Sequence, residues 1–64
     1  MAKSFGEKLR ELRMASGMSQ TEAASHLNIA TKSLSRYENN QTFPRSYQLQ
    51  KLADFYEVPV KYFF

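Results

Sequence analysis

The sequence contains no cysteine and no tryptophan, and only two glycines, two prolines and one histidine among 64 residues. Without cysteine the chain can form neither disulfides nor a thiolate zinc site, and one histidine alone cannot hold zinc. No cluster of Asp and Glu at helical spacing offers a different metal site. The stability of the fold must therefore come from packed apolar side chains, and we expect no metal and no cofactor.

Long apolar runs are also missing. A membrane-spanning helix needs about 20 consecutive apolar residues, and no segment approaches that length. The first residues, MAKSFGEKLRELR, lack the apolar stretch of a signal peptide. Because a chain without cysteine is compatible with a reducing compartment, we predict a cytoplasmic protein with no membrane partner.

Length and charge allow a narrow range of interpretations. A chain of 64 residues has room for one domain, residues 1–64. Nine Lys and Arg against six Asp and Glu give a formal charge of +3. A small basic domain is a candidate for binding a polyanion, although charge alone is weak support.

Two capping boxes, each a serine followed three residues later by a glutamate, predict the starts of helices 1 and 2: Ser4 with Glu7 and Ser19 with Glu22. Helix 1 then starts near Phe5, and Gly17 supplies the flexible residue that commonly follows a helix. Asn28 tolerates a left-handed backbone, so helix 2 should end near Leu27. The turn between these two helices must be short.

Three further helices are predicted, and the sequence shows no alternating strand pattern. Helix 3, from Thr31 to Glu38, has only Leu34 and Tyr37 spaced to face inward, which favours a presented surface over a core element. Helix 4 begins at about Arg45 or Ser46, and its inward residues are Leu49, Leu52, Ala53 and Tyr56. Its outward residues are predicted to be Gln48, Gln50, Lys51 and Asp54. A Pro in a first turn predicts a short fifth helix, which would hold Val60, Tyr62, Phe63 and Phe64.

These features agree in order and spacing with a known family. The motif starts at Gln20, has the small Ala24 where helices 2 and 3 cross, and has Asn28 in the turn. SRYEN at residues 35–39 and LADFYEVP at residues 52–59 match two further signatures. From Phe5 to Phe63 the chain resembles the Cro and phage-repressor type of helix-turn-helix domain, the XRE-like family. The resemblance implies an all-α, compact five-helix bundle of the lambda-repressor-like DNA-binding type, with helices 2 and 3 as the helix-turn-helix.

Three positions depart from the family pattern. The family often has Gly where Asn28 and Glu57 stand, and Ser or Thr where Ala30 stands. Asn is a tolerable substitute because it adopts left-handed conformations. We expect the helix ends at Ala30 and Glu57 to be frayed or built differently from the family pattern.

The resemblance implies a transcriptional regulator, a repressor, that binds double-stranded DNA by placing helix 3 in the major groove of a palindromic operator. The positions similar to base-facing residues of the family are Thr31, Lys32, Ser33 and Arg36, with Ser33 contacting a base or a phosphate. The positions similar to phosphate contacts are Gln20, Asn39, Thr42 and Arg45. The alternative interpretation of helix 3 is a solvated basic face.

Arg13 and Glu38 invite a functional interpretation, one as a DNA-binding cation and the other as a catalytic acid. The resemblance implies instead an ion pair that ties helix 1 to the end of helix 3. A serine with His26 and Asp54 nominally makes a hydrolytic triad, but no strained nucleophile turn positions such a group. We therefore predict that the chain is not an enzyme.

The aromatic C-terminal segment has more rings than a small helical core needs. Phe55, Tyr62 and Phe64 are predicted to form an exposed patch, which often marks an interface. Our hypothesis is a two-fold homodimer that sets two recognition helices about 34 Å apart on DNA. The alternative function is a protein-interaction or antitoxin-type module with the same fold. We find no indication of a small-molecule ligand.

Overall fold

The computed structural model describes residues 2–64 and contains four α-helices in that range: α1 Phe5–Ala15, α2 Gln20–Leu27, α3 Thr31–Glu38 and α4 Ser46–Phe55. A 3₁₀ turn, Val60–Phe63, follows α4. The described residues contain no strand, so the prediction of an all-α fold is confirmed. None of these helices combines the length and the apolarity that crossing a bilayer requires.

The prediction of a fifth helix is wrong, because the segment after Pro59 makes only one 3₁₀ turn. The Tyr62 N–H donates to the Pro59 carbonyl at 2.9 Å, and the Phe64 N–H donates to the Lys61 carbonyl at 3.0 Å. Both bonds span three residues rather than four, which is the usual arrangement in an element this short. One such turn suffices to bury Phe63, which is 4% exposed.

Both predicted capping boxes are present. The Ser4 Oγ accepts from the Glu7 N–H at 3.2 Å, and the Glu7 carboxylate accepts from the Ser4 N–H at 2.9 Å. The same reciprocal pair joins Ser19 and Glu22, at 3.1 and 3.0 Å. Because each box satisfies backbone donors at a first turn, α1 and α2 begin where the sequence placed them.

All four α-helices are followed by a residue with left-handed backbone, and only one of these residues is glycine: Gly17 (φ 72°), Asn28 (φ 59°), Asn40 (φ 61°) and Glu57 (φ 57°). In each case the next N–H along the chain donates to a carbonyl five residues earlier, as from Val58 to Ala53 at 3.0 Å. The end of α4 at Glu57 is therefore built like the other three and is not frayed. At the other departure, no side chain caps α3 at Ala30.

The core takes one fully buried leucine from each α-helix: Leu9, Leu27, Leu34 and Leu52. Three buried alanines lie among them, including Ala24, which is 1% exposed at the position implied for the helix crossing. Gln48 was expected to face solvent but is 7% exposed. Its position four residues before Leu52 puts both side chains on one face of α4.

A close contact that the sequence analysis missed joins α1 to the end of α3. The Gly6 N–H donates to the Asn40 Oδ1 at 2.9 Å, and the Asn40 amide donates to the Ser4 Oγ at 3.0 Å. A Cβ at position 6 would collide with the carbonyl oxygen of Glu38. Gly6 is therefore needed for close approach of two backbones.

We predict that Glu57→Gly raises the free energy of unfolding by about 1 kcal/mol, because glycine adopts the left-handed conformation without the clash of a Cβ. Urea unfolding measures the change. Glu57→Ala is the matched control, since it removes the carboxylate but keeps the Cβ. An equal gain in both variants would assign the effect to the charge near the helix C-terminus and not to the backbone.

Candidate nucleic-acid interface

Helix α3 has one buried side and one exposed side. Leu34 and Glu38, four residues apart, are 0% and 2% exposed. Lys32 and Arg36, also four residues apart, are exposed. Residues at this spacing share a helix face, so the two cations lie together and away from the core. The remaining predicted base-facing residues are the exposed Thr31 and the half-buried Ser33.

The start of α3 is open. Ala30 has no side chain that could accept from the first backbone donors, and its carbonyl accepts from Ser33 and Leu34 at 3.0 and 3.2 Å. The N–H groups of Thr31 and Lys32 have no intrahelical acceptor, as at every helix start. Their positive ends add to the cationic character of this surface.

Three cations, two on α3 and one just before α4, make no salt bridge among residues 2–64. The described residues 2–64 contain two salt bridges, Lys3 with Glu11 and Arg13 with Glu38, each at 2.7 Å. Lys32, Arg36 and Arg45 take part in neither. Because no salt bridge neutralises these three side chains, each keeps a positive charge that attracts anions.

Three of the predicted phosphate contacts lie in the connection between α3 and α4. Thr42 is exposed, and Arg45 is exposed at the first position before α4, where its side chain makes no capping bond. Asn39 is exposed, and its amide donates to the Ser35 Oγ at 3.3 Å. Ser35 was not a predicted site residue, and the spacing of four along α3 is the signal that could have linked it to Asn39.

The Glu38 carboxylate is the meeting point of three elements. Its Oε2 accepts from the Arg13 Nε at 2.7 Å, and its Oε1 accepts from the Arg13 Nη2 at 3.2 Å. Arg13 also donates from Nη1 to the Met18 carbonyl at 2.8 Å, in the turn between α1 and α2. This bidentate pair ties the end of α1 to the end of α3. The hydrogen bond to Glu38 raises the pKa of Arg13 above its ordinary value.

Gln20, another predicted phosphate contact, is tied to the same carboxylate. Its Nε2 donates to the Glu38 Oε1 at 3.0 Å. One amide hydrogen is therefore used internally, while the second hydrogen and the Oε1 of Gln20 stay available. No local pattern in the sequence indicates this bond, because the two residues are 18 positions apart.

The Tyr56 hydroxyl lies close enough to Arg13 and Glu38 for their charges to affect its pKa. Burial raises the pKa of the Tyr56 hydroxyl to about 12, and the negative charge of Glu38 contributes in the same direction. The hydroxyl oxygen is buried and has no hydrogen-bond partner among the described residues. Ionisation of the Tyr56 hydroxyl would therefore destabilise the folded protein.

Of the three aromatic residues predicted to form an exposed patch, two are exposed and one is half-buried. Phe55 is half-buried and stacks on His26, with ring centroids 5.9 Å apart. Tyr62 and Phe64 are 38% and 73% exposed. Phe43, which the sequence analysis did not single out, is 55% exposed, with its ring 6.2 Å from Phe64. We call Phe43 and Phe64 the exposed aromatic surface.

Residues 2–64 bring together no group of three metal-ligating side chains. The same part of the chain encloses no cavity suited to a small ligand.

Comparison with known proteins gives a family and two relatives. A sequence model of the helix-turn-helix domain matches residues 4–61. The chain is 41% identical over 59 residues to the HTH-type transcriptional regulator ImmR of Bacillus subtilis (strain 168), covering 92% of this chain and 46% of that protein. It is 32% identical over 56 residues to the cryptic phage CTXphi transcriptional repressor RstR of Vibrio cholerae, covering 88% of this chain and 50% of that protein. The chain thus spans about half the length of these relatives.

We predict that Arg13→Ala lowers the free energy of unfolding by about 3 kcal/mol or more, because the Glu38 carboxylate would stay buried without its cation. Thermal melting followed by circular dichroism measures the change. Arg10→Ala is the control, since Arg10 is exposed on the same helix and makes no salt bridge among residues 2–64. Equal melting temperatures for Arg13→Ala and the parent would contradict a stabilising role.

Tyr56 should make stability fall at high pH. Its folded pKa, about 12, lies above the value of about 10 in an unfolded chain, so its contribution is full below about pH 10 and is lost as the pH rises towards 12. We predict that Tyr56→Phe flattens this fall and causes no loss of stability at neutral pH. Urea unfolding at several pH values measures both effects, with the exposed Tyr47→Phe as control. Equal pH profiles for the parent and Tyr56→Phe would contradict the prediction.

Proposed function

The chain belongs to the helix-turn-helix domain family, and from that premise we propose that it is a transcriptional regulator, a repressor, that binds double-stranded DNA sequence-specifically. The observation that carries the proposal is the pair of exposed, unpaired cations Lys32 and Arg36 on the face of α3 opposite Leu34 and Glu38. Such a helix can enter a major groove while its other side stays packed on the domain. The proposal assigns the chain no catalytic activity and a cytoplasmic location.

Base recognition falls to the exposed side of α3. Lys32 and Arg36 favour guanine, whose O6 and N7 accept hydrogen bonds from cationic donors. Thr31, exposed in the first turn, has a methyl group and a hydroxyl with which to contact a base edge. Ser33 lies half-buried at the margin of this face and contacts a base or a phosphate.

Phosphate contacts flank the groove on two sides. On one side Gln20, at the first position of α2, donates its second amide hydrogen to a phosphate. On the other side the contacts come from Asn39, Thr42 and Arg45. These contacts set the position of the protein on the duplex without reading its sequence.

The relatives support the same assignment, since one is named a transcriptional regulator and the other a transcriptional repressor. The alignments to the two relatives cover 92% and 88% of this chain and so include its helix-turn-helix.

A palindromic operator requires two copies of the domain related by a two-fold axis. In our proposal the homodimer forms through Tyr62 and Phe64, which expose large apolar area. The stacking of Phe55 on His26 makes it a weaker candidate for this interface. The two α3 helices then contact half-sites about 34 Å apart.

A protein-interaction or antitoxin-type module is the second candidate, and the exposed aromatic surface favours it. In that case the apolar end of the domain engages another protein and DNA binding is weak. Salt dependence distinguishes the two functions, because specific binding through phosphate contacts weakens steeply with salt.

The test begins with selection of bound sites from random DNA, which reports affinity, half-site spacing and symmetry together. We predict an inverted repeat, and we predict that Lys32→Ala and Arg36→Ala relax base preference at single positions by about 1 to 3 kcal/mol. Gln20→Ala and Arg45→Ala should weaken binding to all sequences similarly. Lys61→Ala, a change of an exposed lysine in the 3₁₀ turn, is the control.

Two outcomes would count against the proposal. Weak binding that is blind to sequence would favour the protein-interaction module. Equal effects of all four substitutions on every duplex would contradict the division between base-reading and phosphate-contacting residues.

A further inference from the structure

The connection between α3 and α4 has little backbone support. The Gln41 N–H donates to the Arg36 carbonyl at 2.9 Å. The next residue along the chain that takes part in a backbone hydrogen bond is Arg45, whose carbonyl accepts one. No backbone hydrogen bond to another described residue is made by Thr42, Phe43 or Pro44, which lie between the helices. Side chains must therefore fix the path of these three residues.

Two side chains do so. Pro44 is buried. The Phe43 ring packs on Phe5 of α1 with centroids 4.7 Å apart, and its other neighbour, Phe64, lies at 6.2 Å. Phe5 in turn packs on the buried Phe63 at 5.1 Å. The loop is thus attached to the core through a row of aromatic rings.

A second attachment lies at the start of the same loop. Asn40 accepts from the Gly6 N–H and donates to the Ser4 Oγ, so it is tied to the first turn of α1. Phe43 is tied to Phe5, in the same turn. The contacts of Asn40 and Phe43 therefore both hold the loop against the first turn of α1, and Thr42 lies between these two residues.

We propose that Phe43 is a positioning residue for phosphate binding: its ring holds the loop so that Thr42 and Arg45 face the DNA backbone together. The proposal rests on the proposed function, which assigns those two residues to phosphates. It also gives a reason for a phenylalanine that is 55% exposed, since the buried part of the ring fixes a segment that backbone hydrogen bonds do not.

The energetic basis is preorganisation. A loop that is already ordered in the free protein loses little conformational entropy when it binds. Without the ring, residues 42–44 would sample more conformations, and ordering them would reduce the affinity gained from the Arg45 contact. The loss of affinity would not depend on base sequence, because neither Thr42 nor Arg45 reads bases.

The test compares Phe43→Ala, Phe43→Tyr and Arg45→Ala for binding to the selected operator at several salt concentrations. We expect Phe43→Ala to weaken binding about tenfold, as for loss of one charged hydrogen bond. The slope of log affinity against log salt should fall by about 0.9, as for one lost phosphate contact. Phe43→Tyr, which keeps the ring, should restore both values. Adding Arg45→Ala to Phe43→Ala should cause little further loss.

Three controls separate positioning from other roles. Circular dichroism shows that each variant is folded at the assay temperature, and Phe43→Leu replaces Phe43→Ala if the latter is not, with a smaller loss in the same direction. Tyr47→Ala removes another exposed ring, 70% exposed, and should leave binding unchanged. Sedimentation measures whether Phe43→Ala alters the oligomeric state, with Tyr62→Ala as the comparison for the proposed dimer surface.

The possible failures are distinguishable. Parent-like affinity and slope for Phe43→Ala, with weakened Arg45→Ala, would overturn the positioning role and leave the proposed function standing. Weak binding of the parent protein that is blind to sequence would overturn the proposed function itself. A loss in Phe43→Ala that matches Tyr62→Ala and accompanies dissociation of a dimer would assign Phe43 to an interface between copies instead.

Discussion

A buried carboxylate is the constraint on which the rest of this structure depends. The side chain of Glu38 is 0% exposed, and an ionised carboxylate in such a place is stable only when it is paired and fully hydrogen-bonded. Arg13 and Gln20 supply those bonds from α1 and α2. The consequence is geometric: the last residue of α3 is fixed to the end of one helix and the start of another.

Short connections between helices make this arrangement possible in 64 residues. A left-handed residue follows each α-helix within two positions, and the chain turns there. The direct backbone contact of Gly6 with the end of α3 brings α1 close to the same point. Helix α3 is therefore held at its C-terminal end by its neighbours, and its outer side is free for binding.

The side chains on the outer side of α3 and those of the α3–α4 connection are positioned in different ways. The side chains of α3 are oriented by a regular helix, so Lys32 and Arg36 share a face by their spacing alone. Thr42 and Arg45 have no such framework, and their placement depends on the contact of Phe43 with Phe5. A helix sets the direction of its side chains locally, whereas an irregular loop takes its path from whatever it packs against.

The sequence by itself determined the starts of α1 and α2, the end of α2 at Asn28 and the exposed face of α3, because capping boxes, left-handed residues and helical periodicity act over a few neighbouring residues. It led to the wrong form for the segment after Pro59, which closed as one 3₁₀ turn, and to the wrong face for Gln48. Only the tertiary structure decided that Gln20 shares the carboxylate of Glu38, that Gly6 must lack a Cβ, and that Phe43 and not Phe55 adjoins Phe64. Those contacts join residues far apart in the chain, so they depend on how the helices pack and leave no local pattern to detect.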